Sequence, residues 1–190
     1  MALKSRDKAV RHLQRTMSIW AACACLITLA GCGGTPTPQP HFKIGQPYKV
    51  NGTWYRPEFV TRYEATGIAS WYGSDYHGRY TANGEVYDMA ALTAAHPTLP
   101  LPSIVQVTSL ANGRTLILRV NDRGPFVGNR VIDLSQAAAR ELGFERQGLA
   151  QVQVVYLGLA QLDDLPIRPG ETRQYAMAQC VLPRPQRLVC

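Results

Sequence analysis

Residues 104–126 read IVQVTSLANGRTLILRVNDRGPF and carry the clearest structural signal in the chain. Two β-type runs, Ile104–Leu110 and Thr115–Asn121, flank Asn112-Gly113. That dipeptide is typical of a type I′ hairpin turn, because both central positions of such a turn need a positive φ. We therefore predict an antiparallel hairpin, followed directly by the polar turn NDRGP at residues 121–125.

Short strands and close turns continue on both sides of this hairpin. Gly67–Tyr72 predicts a first strand and Gln151–Leu157 a last one, a pattern typical of a small barrel or sandwich. A single helix is predicted over Leu134–Leu142, where Ser135 can cap the N-terminus and Gly143 suits the position after the C-terminus. The chain is therefore expected to be mainly β.

Composition divides the chain around this β domain, which we predict over residues 66–160. Residues 32–65 are Pro-rich and predict a tether followed by a partly ordered lead-in, and residues 161–190 predict a C-terminal tail. The aromatic residues of the lead-in are expected to dock on the domain, with ligand binding as the alternative; they are Tyr48, Trp54 and Tyr55.

Size and charge limit the classes of protein that fit. The chain has 190 residues, of which 46% are hydrophobic and 17% charged, as expected for one globular domain of ordinary size. The formal net charge is +7, but residues 1–31 hold five Lys or Arg against one acidic residue, which leaves +3 for the rest. This near balance argues against a nucleic-acid partner.

The N-terminus has the order of a secretory signal, predicted over residues 1–31. Its basic stretch precedes an apolar run, Met17–Gly31, that is shorter than the ~20 residues of a membrane-spanning helix; a buried core helix is the alternative. Leu29-Ala30-Gly31-Cys32 resembles a bacterial lipobox, which implies acylation of Cys32. Because Gly33 and not Asp follows, we expect a lipid anchor at the periplasmic face of the outer membrane.

Cysteine usage agrees with secretion. With Cys23 and Cys25 removed in the signal and Cys32 lipidated, only Cys180 and Cys190 remain. In an oxidising compartment these two are expected to form a disulfide, with two unpaired thiols as the alternative. No CxxC occurs and the four histidines are scattered, so no metal site is expected.

Motifs for nucleotide, serine-hydrolase and zinc-protease chemistry are absent from the sequence: there is no phosphate-binding glycine loop, no GxSxG and no HExxH. Polar residues gather instead at the ends of the β segments, in TANGE (81–85), TAAHP (93–97) and NDRGP (121–125). Each of these, taken alone, is also compatible with a solvated turn.

Four segments resemble the septal-ring rare lipoprotein A family: GIASWYG (67–73), TANGEVYDM (81–89), the run from LTAAHP to NDRGPF (92–126) and RVIDLSQAAAREL (130–142). The resemblance implies a six-stranded double-psi β-barrel with one or two short helices, related to the barrel of expansins. Many members add a C-terminal SPOR domain that binds peptidoglycan, for which no room remains before Cys190. Recruitment to the division septum is therefore left open, with cell-division proteins as possible partners.

The resemblance also implies an activity without a cofactor, that of a peptidoglycan lytic transglycosylase. Such an enzyme cleaves the β-1,4 bond between N-acetylmuramic acid and N-acetylglucosamine and leaves a 1,6-anhydro end. Mapped by motif, its catalytic residues are Asp122, Glu85 and His96.

One carboxyl group can serve twice in this reaction, because the C6 hydroxyl of the sugar attacks in place of water. We expect Asp122 to act first as acid and then as base, with a pKa raised by partial burial. Glu85 is expected near the scissile bond as an electrostatic or positioning partner, and these two roles could be exchanged. His96 is expected to hydrogen-bond to either carboxylate.

The remaining motif residues are assigned to substrate binding or to the local fold. Arg123 is expected to hold an acetamido or lactyl group. Tyr72 or Trp71 is expected to stack on a sugar ring, with core packing as the alternative. Asn121 is placed on the substrate side, with a backbone hydrogen bond at its turn. Arg130 and Asp133 are expected to form a salt bridge at a strand-to-helix corner, with ligand contact as the alternative.

Two other classes of function stay open on the sequence alone. One is a non-catalytic, expansin-like glycan-binding module, and the other is a structural outer-membrane lipoprotein. Formation of anhydro-ended products from cell-wall material separates the enzyme from both.

Overall fold

A computed structural model describes residues 37–164 and 166–170. Within them the chain forms eight strands, one α-helix and a 3₁₀ turn at Ser74–Tyr76. The elements are β1 (Tyr48–Val50), β2 (Thr53–Tyr55), β3 (Glu64–Tyr72), β4 (Thr93–Ala95), β5 (Ser103–Ser109), β6 (Thr115–Asp122), β7 (Arg130–Ser135), α1 (Gln136–Leu142) and β8 (Ala150–Leu159).

Strands β3 to β8 close into a barrel in the order β3-β7-β4-β6-β5-β8. The pairs β3/β7 and β4/β6 are parallel, and every other neighbouring pair of the barrel is antiparallel. The predicted six-stranded, mainly β fold is confirmed. Strands β1 and β2 form a separate two-stranded sheet in the lead-in.

The barrel interior is filled by aliphatic side chains that alternate with outward-facing polar ones. Leu134, Ala94 and Val120 are register neighbours on β7, β4 and β6, and all three are completely buried. Side chains on a strand alternate between its two faces. Asp133, which precedes Leu134 on β7, and Ala95, which follows Ala94 on β4, therefore project to the outer face. A bulge in β6 brings Asp122 to the same face.

The predicted hairpin is confirmed, but its turn is not type I′. Strands β5 and β6 pair from Thr108 and Thr115 onward, and within the turn only Gly113 has a positive φ, of 73°. The turn is longer than two residues, which frees the Asn112 side chain to donate to the Leu142 carbonyl at the end of α1. Positive φ at two successive positions, as in type I′, is found instead at Asn51-Gly52, between β1 and β2.

The helix is shorter than predicted. It begins at Gln136, because Leu134 and Ser135 still pair with β3 as the end of β7. The predicted caps are confirmed: Ser135 Oγ accepts a hydrogen bond from the Ala138 amide, and Gly143 is left-handed with φ 83°. The pattern did not predict β4 because its three residues, TAA, are all buried and show no alternation.

The lead-in docks on the barrel through two of its three named aromatic residues. Tyr48 and Tyr55 stack with ring centroids 5.4 Å apart, and both contact the Phe126 ring edge-on. The Tyr48 hydroxyl also donates to the Pro97 carbonyl at 2.7 Å. Trp54 differs, since it is 57% exposed and has the Lys49 ammonium over its ring.

Several predictions fall outside the described residues. They concern the signal over residues 1–31, lipidation of Cys32, the Cys180–Cys190 disulfide and most of the tail over 161–190. In the part of the chain that the structure describes, no helix combines the length and the apolar character needed to cross a membrane.

Candidate active site

One row of side chains runs across four neighbouring strands on the outer face of the barrel. Asp133 of β7 pairs in register with Ser70 of β3 on one side and with Ala95 of β4 on the other. Ala95 in turn pairs with Asp122 at the end of β6. Two strand spacings of about 4.8 Å separate the two acidic residues, so their Cα atoms lie about 10 Å apart across the small side chain of Ala95.

Asp122 is half-buried and held by two backbone amides. Its Oδ1 accepts hydrogen bonds from the amides of Arg123 at 2.8 Å and of Ala82 at 2.9 Å. Burial raises the pKa of this carboxyl group, and the two amides and the charges of Arg123 and Lys43 oppose the rise without cancelling it. Asp122 therefore holds a proton more readily than an exposed aspartate and still reaches solvent.

Glu85 lies in a different environment from Asp122. It is buried, and its Oε1 accepts from Nη2 of Arg119 at 2.7 Å and from Nε at 3.0 Å. Asn83 Nδ2 donates to Oε1 at 2.7 Å and Asn121 Nδ2 to Oε2 at 2.8 Å. The expected open position near the scissile bond is thus replaced by a buried ion pair, and the two carboxylates do not form one open pair.

Arg119 was not predicted as a site residue. It is completely buried on β6, and its Nη1 also donates to the Gln161 carbonyl at 3.0 Å. A charged residue inside the apolar run TLILRV was the available signal, since a buried charge requires a partner. Its pairing with Glu85 anchors the loop over residues 81–85 on the barrel.

His96 does not contact either carboxylate, contrary to expectation. Its Nδ1 accepts from the amides of Leu99 at 3.0 Å and Thr98 at 3.2 Å, which places the proton on Nε2, 3.0 Å from the Tyr63 hydroxyl. Burial, with the Arg123 charge adding to it, lowers the pKa of His96 to about 3. The neutral ring therefore shapes the turn after β4, and its backbone amide donates to the Asp122 carbonyl.

Arg123 is committed to backbone carbonyls. Its Nη1 donates to Leu99 at 2.6 Å and to His96 at 3.2 Å, and its Nη2 donates to Ile44 at 2.7 Å. This arrangement ties the lead-in to the turn after Asp122. These bonds use three of the five N–H donors of the guanidinium, and a role of the others in holding an acetamido or lactyl group stays a prediction.

Asn121 Oδ1 is buried and has no hydrogen-bond partner in the described part of the chain, and the Tyr72 hydroxyl is also buried. The Tyr72 ring packs on Tyr87 with centroids 4.3 Å apart. Burial raises the pKa of Tyr72 well above its usual range; the charges of Asp122 and Asp133 add to the rise, and a hydrogen bond with the Thr93 side chain opposes it. Asn121 bonds Glu85 and not the backbone of its turn.

Asp133 forms the predicted salt bridge and also belongs to the acidic row. Arg130 Nη2 lies 3.3 Å from its Oδ2, which confirms the pairing, and the Ser70 hydroxyl donates to its Oδ1 at 2.6 Å. Arg130 Nη1 in turn donates to Ser70 Oγ at 2.7 Å. Burial raises the pKa of Asp133, and these two partners oppose the rise. The position of Asp133 beside Asp122 was missed, because only the strand register reveals it.

The fold and the acidic row together define the class: a double-psi-type β-barrel with two carboxylates on an outer face. Residues 64–154 match a protein-family model described as lytic transglycolase. Over these residues, the barrel of this chain is similar to that family.

Named relatives and a solved structure are similar to part of the chain. An endolytic peptidoglycan transglycosylase RlpA from Neisseria meningitidis is 56% identical over 115 residues, 60% of this chain and 48% of the relative. The protein of the same name from Pseudomonas aeruginosa is 55% identical over 120 residues, 62% of this chain and 35% of the relative. The solved Streptomyces papain inhibitor is 27% identical with a TM-score of 0.40, and the match covers 49% of this chain and 94% of that one. The chain thus spans about half or less of the RlpA relatives named here.

Proposed function

We propose that this protein is a peptidoglycan lytic transglycosylase that cleaves the β-1,4 bond between N-acetylmuramic acid and N-acetylglucosamine and forms 1,6-anhydro ends. The observation that carries the proposal is the row of Asp122 and Asp133, two half-buried carboxylates with raised pKa on one outer face of the barrel. The names of the RlpA relatives support the substrate class.

In the proposed reaction Asp122 is the acid and then the base. Its carboxyl group gives a proton to the leaving O4 of N-acetylglucosamine as the bond from C1 of N-acetylmuramic acid breaks. The resulting carboxylate takes the proton of the C6 hydroxyl, whose oxygen bonds to C1 and closes the anhydro ring. No water is consumed, and Asp122 ends protonated as it began.

The second carboxylate of the proposed mechanism is Asp133. Ser70 and Arg130 favour its ionised form, in which it can stabilise the positive charge that develops on the sugar ring as the bond breaks. Glu85 is assigned a positioning role through its ion pair with Arg119. Neutral His96 is assigned a structural role at the turn after β4.

The place of action we propose is the cell envelope, with a lipid anchor at Cys32 holding the barrel at the periplasmic face of the outer membrane. Glycan strands are the proposed partner, and contact with cell-division proteins is a further possibility that follows from the family resemblance. Globomycin sensitivity of processing and radiolabelled palmitate incorporation test the anchor, with Cys32→Ser as the control.

The deciding experiment uses purified sacculi, intact and amidase-treated. Wild-type protein is expected to release products with anhydro ends, detected by mass spectrometry, and Asp122→Asn is expected to release none while it still binds sacculi. Binding without new ends by the wild type would instead indicate a glycan-binding module. Equal release by wild type and Asp122→Asn would reject the assignment of Asp122.

A further inference from the structure

The segment over residues 37–44, which we name the strap, crosses the loop that touches Asp122. Its backbone amides donate at alternate residues: Gln39 to the Gly84 carbonyl at 2.8 Å and His41 to the Asn83 carbonyl at 2.9 Å. Lys43 then exchanges two backbone hydrogen bonds with Leu101, at 2.7 and 2.8 Å. The strap is thus bonded to the 81–85 loop and to Leu101 before β5, and it precedes the matched family region, 64–154.

Gly84 shows how closely the strap approaches the loop. Its φ is +84°, and a Cβ atom built on it would lie 2.1 Å from the Gln39 carbonyl oxygen. Any other residue at this position would both strain the backbone and push the strap away. The contact between strap and loop therefore depends on this glycine.

The far end of the strap reaches both neighbours of the Asp122 carboxyl group. Lys43 Nζ donates to the Ala82 carbonyl at 3.0 Å, and the amide of the same Ala82 donates to Asp122 Oδ1 at 2.9 Å. Arg123, whose amide is the other donor to Oδ1, bonds the Ile44 carbonyl through Nη2 at 2.7 Å. The consecutive strap residues Lys43 and Ile44 thus hydrogen-bond to the two residues whose amides donate to Asp122.

We propose that the strap is part of the catalytic unit and that Lys43 is a positioning residue that keeps the Ala82 amide against Asp122. The proposal deepens the proposed function and rests on it for its activity readout. It implies that the active unit includes residues 39–44, well before the barrel strand β3.

Charged and titratable groups face Asp122 from several elements. Arg123 follows it on the same turn, Lys43 comes from the strap, Tyr72 from β3 and Asp133 from the far side of β4. Of these, the charges of Arg123 and Lys43 lower the pKa of Asp122. Loss of the Lys43 charge is therefore expected to raise that pKa further.

The first experiment compares Lys43→Met, Lys43→Arg and Lys49→Met in the full chain. Carboxyl ¹³C NMR, assigned with Asp122→Asn, measures the Asp122 titration directly. Lys43→Met is expected to shift this titration to higher pH and to lower kcat/KM on sacculi roughly fivefold, about the worth of one net hydrogen bond. Lys43→Arg is expected to restore both, and Lys49→Met, on β1 beside Trp54, to match the wild type.

The second experiment displaces the strap by a matched glycine pair. Gly84→Ala introduces the clash with Gln39, whereas Gly78→Ala adds a Cβ at a similar φ of +79° in open space. Hydrogen exchange of the peptide spanning His41 and Lys43 is expected to accelerate only in Gly84→Ala, together with a fall in activity and a shifted Asp122 titration.

The outcomes separate the strap proposal from the proposed function. Faster hydrogen exchange of the strap in Gly84→Ala without a change in the Asp122 titration would overturn the positioning role. An unchanged Asp122 titration in Lys43→Met would also overturn it. A wild type that forms no anhydro ends while the Asp122 titration still responds to Lys43 would reject the enzyme and leave the coupling standing.

Discussion

Glu85 and Arg119 form a buried, two-point ion pair beneath the loop that contacts Asp122. Arg119 Nη2 lies 2.7 Å from Oε1 of Glu85, and Nε lies 3.2 Å from Oε2. Neither side chain is open to solvent to any useful extent, so the pair is shielded from screening. Glu85 also accepts hydrogen bonds from Asn83 in the loop and from Asn121 immediately before Asp122, so the pair fixes the loop next to Asp122.

Removal of one partner of this pair is expected to be severe. Glu85→Gln leaves the Arg119 charge buried without a counter-ion, and such changes cost about 3–5 kcal/mol. Urea unfolding should show this as a lower midpoint with an unchanged slope. The matched control is Glu145→Gln, which breaks the exposed pair with Arg140 and is expected to leave the midpoint unchanged. An unaltered midpoint in Glu85→Gln would contradict the structural role.

The double substitution Glu85→Leu with Arg119→Met separates structure from chemistry. Replacing both charges with apolar residues of similar volume is often neutral for stability. We expect the urea midpoint to recover most of the loss seen in Glu85→Gln. Anhydro-product release that recovers with it indicates positioning, whereas a stable but inactive double variant would return Glu85 to the list of catalytic groups.

Asp122→Asn is expected to abolish activity without loss of stability. The amide oxygen can still accept from Ala82 and Arg123, while the proton donor is lost, and general acid–base catalysis contributes about 10²–10⁴-fold. Because the folded-state pKa of Asp122 is raised, its ionised form at pH 7 lowers the free energy of unfolding. Thermal unfolding at pH 7 should therefore give a midpoint equal to or above that of the wild type, and a clear decrease would count against this account.

His96 makes stability depend on pH in a defined window. Its pKa is 6.5 when unperturbed and about 3 in the fold, so between these values the unfolded chain binds one more proton than the folded one. The unfolding free energy should fall as pH decreases from about 6.5, by up to about 1.4 kcal/mol per pH unit. Asp122 and Asp133 act in the opposite sense, because their folded-state pKa values are raised.

A variant isolates the contribution of His96 from that of the two acids. In His96→Asn the slope of unfolding free energy against pH, measured by urea unfolding between pH 4 and 7, should lose the part due to one proton. Both acidic residues are unchanged in this variant, so their part of the slope cancels in the comparison. Identical slopes in the two proteins would show that His96 is not buried in its neutral form.

Ser70→Ala tests the second carboxylate. The substitution removes the 2.6 Å hydrogen bond that favours the ionised form of Asp133, so the pKa of Asp133 should rise further. If this anion stabilises the developing charge, kcat on sacculi should fall several-fold with a smaller change in KM. Ser74→Ala, in the exposed turn after β3, serves as the control. A kcat equal to that of the wild type would remove Asp133 from the mechanism.

The local sequence pattern was sufficient to predict those elements whose conformation depends on residues close together in the chain. The β5/β6 hairpin, the Ser135 cap and the glycine after α1 follow from alternation and from capping chemistry within a few residues. The type I′ turn was assigned to Asn112-Gly113, whereas two successive positive φ values occur at Asn51-Gly52. In the longer turn that forms at Asn112-Gly113, the Asn112 side chain donates to the Leu142 carbonyl at the end of α1, a distant contact that no local pattern reports.

The amino-acid order by itself indicated the strands β3, β5, β6 and β8, the caps of the helix and the family that the barrel resembles, because these depend on short-range periodicity and on motifs. Closure of the barrel determined the positions and the surroundings of the acidic residues. Pairing of β4 with both β6 and β7 brings Asp122 and Asp133 to the two sides of Ala95. Folding of the 81–85 loop onto β6 brings Glu85 into an ion pair with Arg119. Partners far apart in the chain decide which acid is open and which is neutralised, since burial and charge pairing are properties of the assembled barrel.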